Sequence, residues 1–239
     1  MATISLCMIV KNESAVLARC LDSIADLMDE IIIVDTGSTD NTKEIAAQYT
    51  SRIYDFKWTS DFSAARNFSF SKATMEYIYT ADADEILDDA NRERFLRLKG
   101  ALLPEIEIVQ MKYVTQGTFD TVLNAKKEYR PKLFRRLRTF TWIDPIHETV
   151  RLTPVTFDSD VEILHCPQSL HSKRDFSIFI KAFEHDGQFS PKIRTMYAKE
   201  LLKTGDKKDF TDAKPIFQLI FDNDPADDAR KEAACVLAR

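Results

Sequence analysis

The chain has 239 residues, of which 44% are hydrophobic, 30% charged and 10% aromatic; that is room for one large domain, or a domain with a small appendage, and it excludes global disorder. A formal charge of −5 gives no broad electrostatic footprint for nucleic acid or an anionic membrane, and five Gly and eight Pro exclude collagen-like and low-complexity classes. The four cysteines, Cys7, Cys20, Cys166 and Cys235, are scattered without a CxxC pair, a pattern of reduced, buried thiols rather than of a zinc knuckle or a disulfide framework.

The apolar run that ends at Lys11 and Asn12 is too short for a signal peptide or a membrane span, and no later stretch approaches one, so the expected address is the cytoplasm. Residues 4–10 form a continuous apolar run, as a strand buried on both faces should. Val16, Leu17, Cys20, Leu21, Ile24 and Leu27 recur at helical spacing within 14–27. Residues 30–34 read as a second buried strand, 40–49 as a helix with Asp40 as N-cap, 52–56 as a third strand, 61–76 as a helix and 77–81 as a fourth strand. This βαβαβαβ order implies a parallel sheet with right-handed crossovers.

Beyond residue 88 the rhythm changes. A helix is expected over 89–98, and 106–114 and 128–137 are β-like segments that can pair antiparallel, with a further strand over 161–166. The long polar loop 115–127 is either a mobile lid or a plain surface loop. From about residue 175 the pattern is helical over 175–187, 192–204, 209–222 and 226–238, with breaks at Gly205 and Pro225 and with Pro191 and Pro215 near helix starts. Helix pairs about 34 residues apart suit a tetratricopeptide-like array. The last helix meets no stop signal before Arg239, which reads as a truncated piece of a longer protein. The expected division is 1–170 for the α/β domain and 171–239 for a helical tail, the candidate surface for a homo-oligomer.

In an open parallel sheet, ligands bind at the carboxyl ends of the strands. Lys11, Asn12 and Glu13 follow the first strand, Asp35 to Asp40 the second, and Asp82, Ala83, Asp84 and Glu85 the fourth. Asp82 and Asp84, at i and i+2, can point to one side. Two such charges ~4 Å apart repel by about 4 kcal/mol at an effective dielectric near 20. A divalent cation relieves that repulsion, and oxygen ligands favour Mg²⁺ or Mn²⁺. The alternative is a solvated acidic turn ahead of a helix. Gly37 to Asp40 is also good turn and cap chemistry; it is neither a GxGxxG nor a P-loop. Arg130, Lys132, Arg135, Arg136 and Arg138, interleaved with Phe134, Leu137 and Phe140, read as a strand with one solvated face; the other reading is a grip on donor phosphates or an acidic acceptor. His171 and His185 read as ordinary packed or surface histidines.

LCMIVKNES, DEIIIVDTGSTDNT, DFSAARN and YIYTADADEIL, in that order across residues 6–87, resemble the nucleotide-diphospho-sugar glycosyltransferases of family 2. The sequence is most similar to a bacterial cytoplasmic branch with a helical, often tetratricopeptide, tail, which includes peptide S-glycosyltransferases. The resemblance implies the GT-A fold, a three-layer α/β sandwich with a mainly parallel sheet. It also implies metal-dependent inverting transfer of a sugar from a nucleoside-diphosphate donor, UDP-linked, to an acceptor that includes peptide or protein side chains as a class. By position, Glu13 and Asp35 would contact base and ribose, with Lys11, Asn12 and Ser38 in the same loops. Arg66 and Asn67 would run beneath the donor, with Arg66 either on a phosphate or bracing the acidic rim. Asp82 would lie near ribose or metal, Asp84 would ligate Mn²⁺ or Mg²⁺ directly, and His165 would complete the shell. Glu148 is the expected catalytic base with Asp144 second, and Trp142 and His147 fall on the acceptor side. Two other readings stand beside this one: a non-catalytic sugar-nucleotide sensor with a helical interaction module, and a sugar nucleotidyltransferase, whose usual Gly-rich loop is missing from residues 10–20.

Overall fold

The computed structural model describes residues 1–115, 127–136, 142–143, 145–146, 149–150, 155–166 and 172–239. The first half alternates as expected: β1 Ile4–Val10, α1 Leu17–Ile24 with a single 3-10 turn at Ala25–Leu27, β2 Glu30–Asp35, α2 Thr42–Ala46, β3 Ile53–Asp55, α3 Phe62–Lys72 and β4 Tyr77–Thr80. There follow β5 Glu85–Ile86, α4 Asp89–Ala101, β6 Ile108–Thr115, β7 Lys127–Arg135, β8 Trp142–Ile143, β9 Thr149–Val150 and β10 Thr156–His165. Four helices close the chain: α5 Ser172–Asp186, α6 Pro191–Thr204, α7 Lys207–Asn223 and α8 Asp227–Leu237.

Among the described residues, eight strands make one sheet in the order β3-β2-β1-β4-β7-β6-β10-β5. β1 pairs in parallel with β2 and β4, and β2 with β3. Past β4 the sheet is mixed, because β7 enters antiparallel between β4 and β6, while β10 runs parallel to β6. The antiparallel pairing expected between the segments near 106–114 and 128–137 is thus present.

The period-two alternation of β1 divides its side chains between two cores. Ile4, Leu6, Met8 and Val10 pack with Leu17, Cys20, Leu21 and Ile24 of α1 and Phe95 of α4. Cys7 faces the opposite cluster, with Ile32, Val34, Ile78 and Phe68 of α3. That two-sided burial is why β1 and β2 read as unbroken apolar runs.

Several expected boundaries shift. Asp40 stands one place before the cap of α2: Asn41 holds the cap position without a side-chain cap bond, while Asp40 accepts from the N–H of Thr42, the first residue of the helix, and from that of Ser14. α3 stops at Lys72 rather than 76, and α4 extends to Ala101. Pro215 lies inside α7, since a capping box of Asp206 and Asp209 starts that helix earlier than the pattern implied. The lost N–H bond is tolerated because Ala213, Ile216, Phe217 and Ile220 stay buried on one face. Of the cysteines, all free, Cys7 and Cys20 are buried, Cys166 is half-buried and Cys235 is exposed, against the expectation of burial for all. Among the described residues no helix is long and apolar enough to cross a membrane.

The four terminal helices gather around Tyr197, whose ring stacks on Phe179 at 4.7 Å and meets Phe217 at 5.4 Å. Their apolar cluster also takes in Ile146, with Trp58 and Phe62 packed against it.

Candidate active site

The carboxyl ends of β1 and β2 are stitched together by their loops. Asn12 adopts a left-handed backbone (φ 56°), a conformation Asn tolerates better than most residues. Its N–H donates to Ser38 Oγ at 2.9 Å, and its Oδ1 accepts from Thr39 N–H at 2.7 Å. Glu13 N–H donates to Thr42 Oγ1 at 2.8 Å. Lys11 is exposed beside them. Asp35, the last residue of β2 and 1% exposed, accepts at Oδ1 from the N–H groups of Gly37 and Ser38, each at 2.9 Å. Its Oδ2 is buried without a hydrogen-bond partner among the described residues, an acceptor still to be satisfied. Lys11, Asn12, Glu13, Asp35 and Ser38 therefore do come together on one rim.

The second part of the rim follows β4. Asp82 is open to solvent. The protein packed around it works to raise its carboxyl, but Lys132, Arg66, His165 and Arg130 outweigh that and hold it below the ordinary carboxylate value. Asp84 Oδ2 lies 3.0 Å from Nε2 of His165, which ends β10. The His165 ring is backed by Tyr113 of β6 at 5.0 Å, and the Arg130 guanidinium covers that tyrosine at 3.8 Å. His165 Nδ1 is buried with no partner among the described residues. No set of three His, Cys, Asp or Glu side chains among the described residues converges closely enough to hold a metal. The structure thus brings Asp84 and His165 together and leaves Asp82 outside a three-membered cluster with them.

Lys132 departs from the expectation of a solvated face. It is 6% exposed, and its Nζ donates to both carboxylate oxygens of Glu85, itself 2% exposed, at 2.8 and 2.7 Å. Burial pushes the Glu85 carboxyl up and the Lys132 ammonium works against it. The sequence places Glu85 among the acids after β4 and Lys132 in a basic strand, but gives no sign of their buried pairing. The available signal was Pro131, an unusual residue for a strand, next to a lysine.

α3 forms the adjoining wall. Asp61 caps it by accepting from Ala64 N–H at 3.1 Å. Asn67 spends its side-chain amide on the backbone of Trp142, donating to its carbonyl at 3.2 Å and accepting from its N–H at 3.0 Å. The Trp142 ring is 6% exposed among Phe70 and Phe134, and it meets the Arg66 guanidinium at 5.1 Å. Asp144, His147 and Glu148 lie outside the described residues, as do residues 116–126 of the expected lid, His171, and Leu137, Arg138 and Phe140 of the basic segment. His185 is exposed and meets only its neighbour Asp186 at 2.6 Å among the described residues.

A mainly parallel sheet with helices on its faces and polar loops gathered at its carboxyl edge is of the GT-A class. Within that class the chain belongs to glycosyl transferase family 2, which matches residues 5–153. It is 48% identical over 87 residues to a TPR repeat-containing protein of Synechococcus elongatus, covering 36% of this chain and 22% of that protein. It is 33% identical over 132 residues to the SPbeta prophage-derived glycosyltransferase SunS of Bacillus subtilis, covering 54% of this chain and 31% of SunS. The chain thus spans about a fifth to a third of the length of these curated relatives. Among solved structures, glucosyl-3-phosphoglycerate synthase from Mycobacterium tuberculosis, in complex with Mn²⁺, UDP-glucose and phosphoglyceric acid, is similar with a TM-score of 0.56 and 18% identity, over 80% of this chain and 82% of that one. At that identity the likeness concerns the fold.

Proposed function

We propose that the protein is a metal-dependent inverting glycosyltransferase that moves a sugar from a UDP-linked donor to an acceptor nucleophile, of which a peptide or protein side chain is one class. The observation that carries this is the approach of Asp84 to His165 at 3.0 Å, an acid after β4 and an imidazole at the end of β10, on the edge where such sheets bind ligands. One oxygen and one nitrogen donor would suit Mn²⁺, and the carboxylate would suit Mg²⁺. Asp84 and His165 would hold the cation, with Asp82 as a nearby counter-charge. A bound cation of this kind supplies Lewis-acid stabilisation of the leaving diphosphate.

The chain's own residues account for the rest. Asp35 keeps the loop after β2 in place through Oδ1, and its buried Oδ2 suits a hydroxyl donor such as ribose. Glu13, Lys11, Asn12 and Ser38 line the same side. Arg66 places positive charge near Asp82, where diphosphate charge would be met, and Asn67 fixes the Trp142 wall beside it. Glu148, with Asp144 second, would take the acceptor proton from the face opposite the leaving group, with His147 next to it.

Hydrolysis of a panel of UDP-sugars with Mn²⁺ present tests the proposal. Turnover by the wild type is expected, with a loss of about a hundredfold or more in Asp84→Ala, the scale of removing a preorganised electrostatic group. Turnover that survives both that substitution and chelation would count against it.

A further inference from the structure

The pairing of β6 with β7 contains an irregularity that sugar transfer leaves unexplained. Val109 stands opposite Leu133 and Gln110 opposite Pro131, so Lys132 is the extra residue of a bulge. β7 lies inside the sheet, between β4 and β6. Pro131, which has no N–H to give the ladder, sits beside this bulge and past the last residue of β7 that β4 pairs. Bulges re-aim side chains, and the side chain re-aimed here is the buried lysine that grips Glu85 with two contacts of 2.8 and 2.7 Å. The same residue's carbonyl accepts from Thr80 Oγ1 at 3.5 Å. Thr80 ends β4 and Glu85 begins β5, so one residue of β7 holds both ends of the segment that carries Asp82 and Asp84.

Other bonds close the same turn. Glu85 N–H donates to the Asp82 carbonyl at 3.1 Å, and Cys166 N–H to the Asp84 carbonyl at 3.0 Å. Glu85 stands opposite His165 in the β5–β10 pairing. A buried ion pair is a poor device for stability alone, since well-packed apolar residues of like volume are often as stable or more so. What it supplies is direction. With Glu85 fixed inward at 2% exposure, its neighbour Asp84 is left on the rim, where it meets His165.

The geometry points to Lys132 and Glu85 as positioning residues that hold Asp84 against His165 in a cation-binding arrangement, a role that rests on the reading of Asp84 as a cation ligand. Mn²⁺ binding in the presence of UDP, followed on the full chain by the electron-paramagnetic signal of free Mn²⁺, tests this beside thermal melting. The decisive variant is the double substitution Lys132→Met with Glu85→Leu, which removes both charges and keeps apolar volume. It is expected to melt close to the wild type yet to bind Mn²⁺ about tenfold to a hundredfold more weakly, the range for groups behind a metal ligand. Glu85→Gln keeps the shape and one acceptor for Lys132; it is expected to fold and to bind Mn²⁺ several-fold more weakly. Wild-type Mn²⁺ affinity in the folded double variant overturns the inference, and so does wild-type affinity in Glu85→Gln should the double variant not fold. Asp84→Asn separates the two levels: undiminished Mn²⁺ binding in that variant overturns the reading of Asp84 itself.

Discussion

Gly37 illustrates how much a single backbone angle decides at this site. Its φ of +103° lies where L side chains rarely sit, and a Cβ built on it would meet nothing within 4 Å. Any penalty for a larger residue therefore comes from the backbone and not from a clash. In that conformation the Gly37 N–H reaches Asp35 Oδ1, and the next N–H, of Ser38, reaches the same oxygen. Gly37→Ala is expected to lower stability by about 1–3 kcal/mol, the cost of holding one residue in a sparsely populated region. UDP affinity should fall with it, because the loop that Asp35 organises is distorted. Urea unfolding and a UDP titration measure the two effects; an alanine variant with unchanged midpoint and affinity would mean that the loop reaches the same bonds at negative φ.

At the scale of elements, the loops after β1 and β2 behave as one unit, and Asp40 is the strongest stitch. It accepts from Ser14 N–H at 3.2 Å and from Thr42 N–H and Oγ1 at 3.1 and 2.5 Å. Partial burial works to raise its carboxyl, and these bonds overcome that and bring it down to about 2. A depressed folded-state value contributes stability that is complete above the unfolded value near 4 and is lost as pH falls through 2. Asp40→Asn should therefore be less stable than the wild type by roughly 1 kcal/mol at pH 7, after allowing for solvent screening, with the gap closing between pH 4 and 2. Denaturant midpoints at pH 7, 4 and 2.5 check this, and a gap that stays constant would remove the charge from the explanation. The same residue shows where local sequence reading stops. Ser14 and Asp40 belong to different loops, so the bond that ties Asp40 to the loop after β1 is invisible in the pattern of 40–49. The long strands and helices were legible because each buries a periodic face. The two-residue strands β5, β8 and β9 exist only through their partners. Lys132 was misread because one bulge reverses the parity of a strand, and parity is all that alternation reports. The acidic rim was legible from the residues after each strand, whereas the approach of His165 to Asp84 depends on β10 lying beside β5, which periodicity does not encode.

For the whole molecule, the question is whether the four terminal helices are an appendage or part of one folded body. Their cluster contains Ile146, 3% exposed, from the segment between β8 and β9, and Trp58, from the connection between β3 and α3, and Phe62, the first residue of α3, pack against it. Polar contacts follow the same line: Phe62 N–H donates to the Pro145 carbonyl at 2.9 Å, and Lys181 Nζ of α5 meets Ser60 Oγ at 3.1 Å. A core shared in this way couples the two parts energetically, since exposing it from either side forfeits the same burial. The segment it holds is the one whose sequence neighbours, Asp144 and Glu148, are the proposed base candidates, so on that proposal the helices would brace the acceptor side rather than merely follow it. Ile146→Ala should cost about 2–5 kcal/mol, as for a buried isoleucine whose cavity does not collapse. The two tryptophans provide separate views, because Trp58 packs on the helical cluster and Trp142 on Phe134 and Ile108 at the sheet. With Trp142→Phe and Trp58→Phe used to isolate each signal, urea unfolding is expected to show one common midpoint that Ile146→Ala lowers for both probes. Two separated midpoints, with Ile146→Ala moving only the Trp58 signal, would mean that the helices unfold independently and that the brace does not exist.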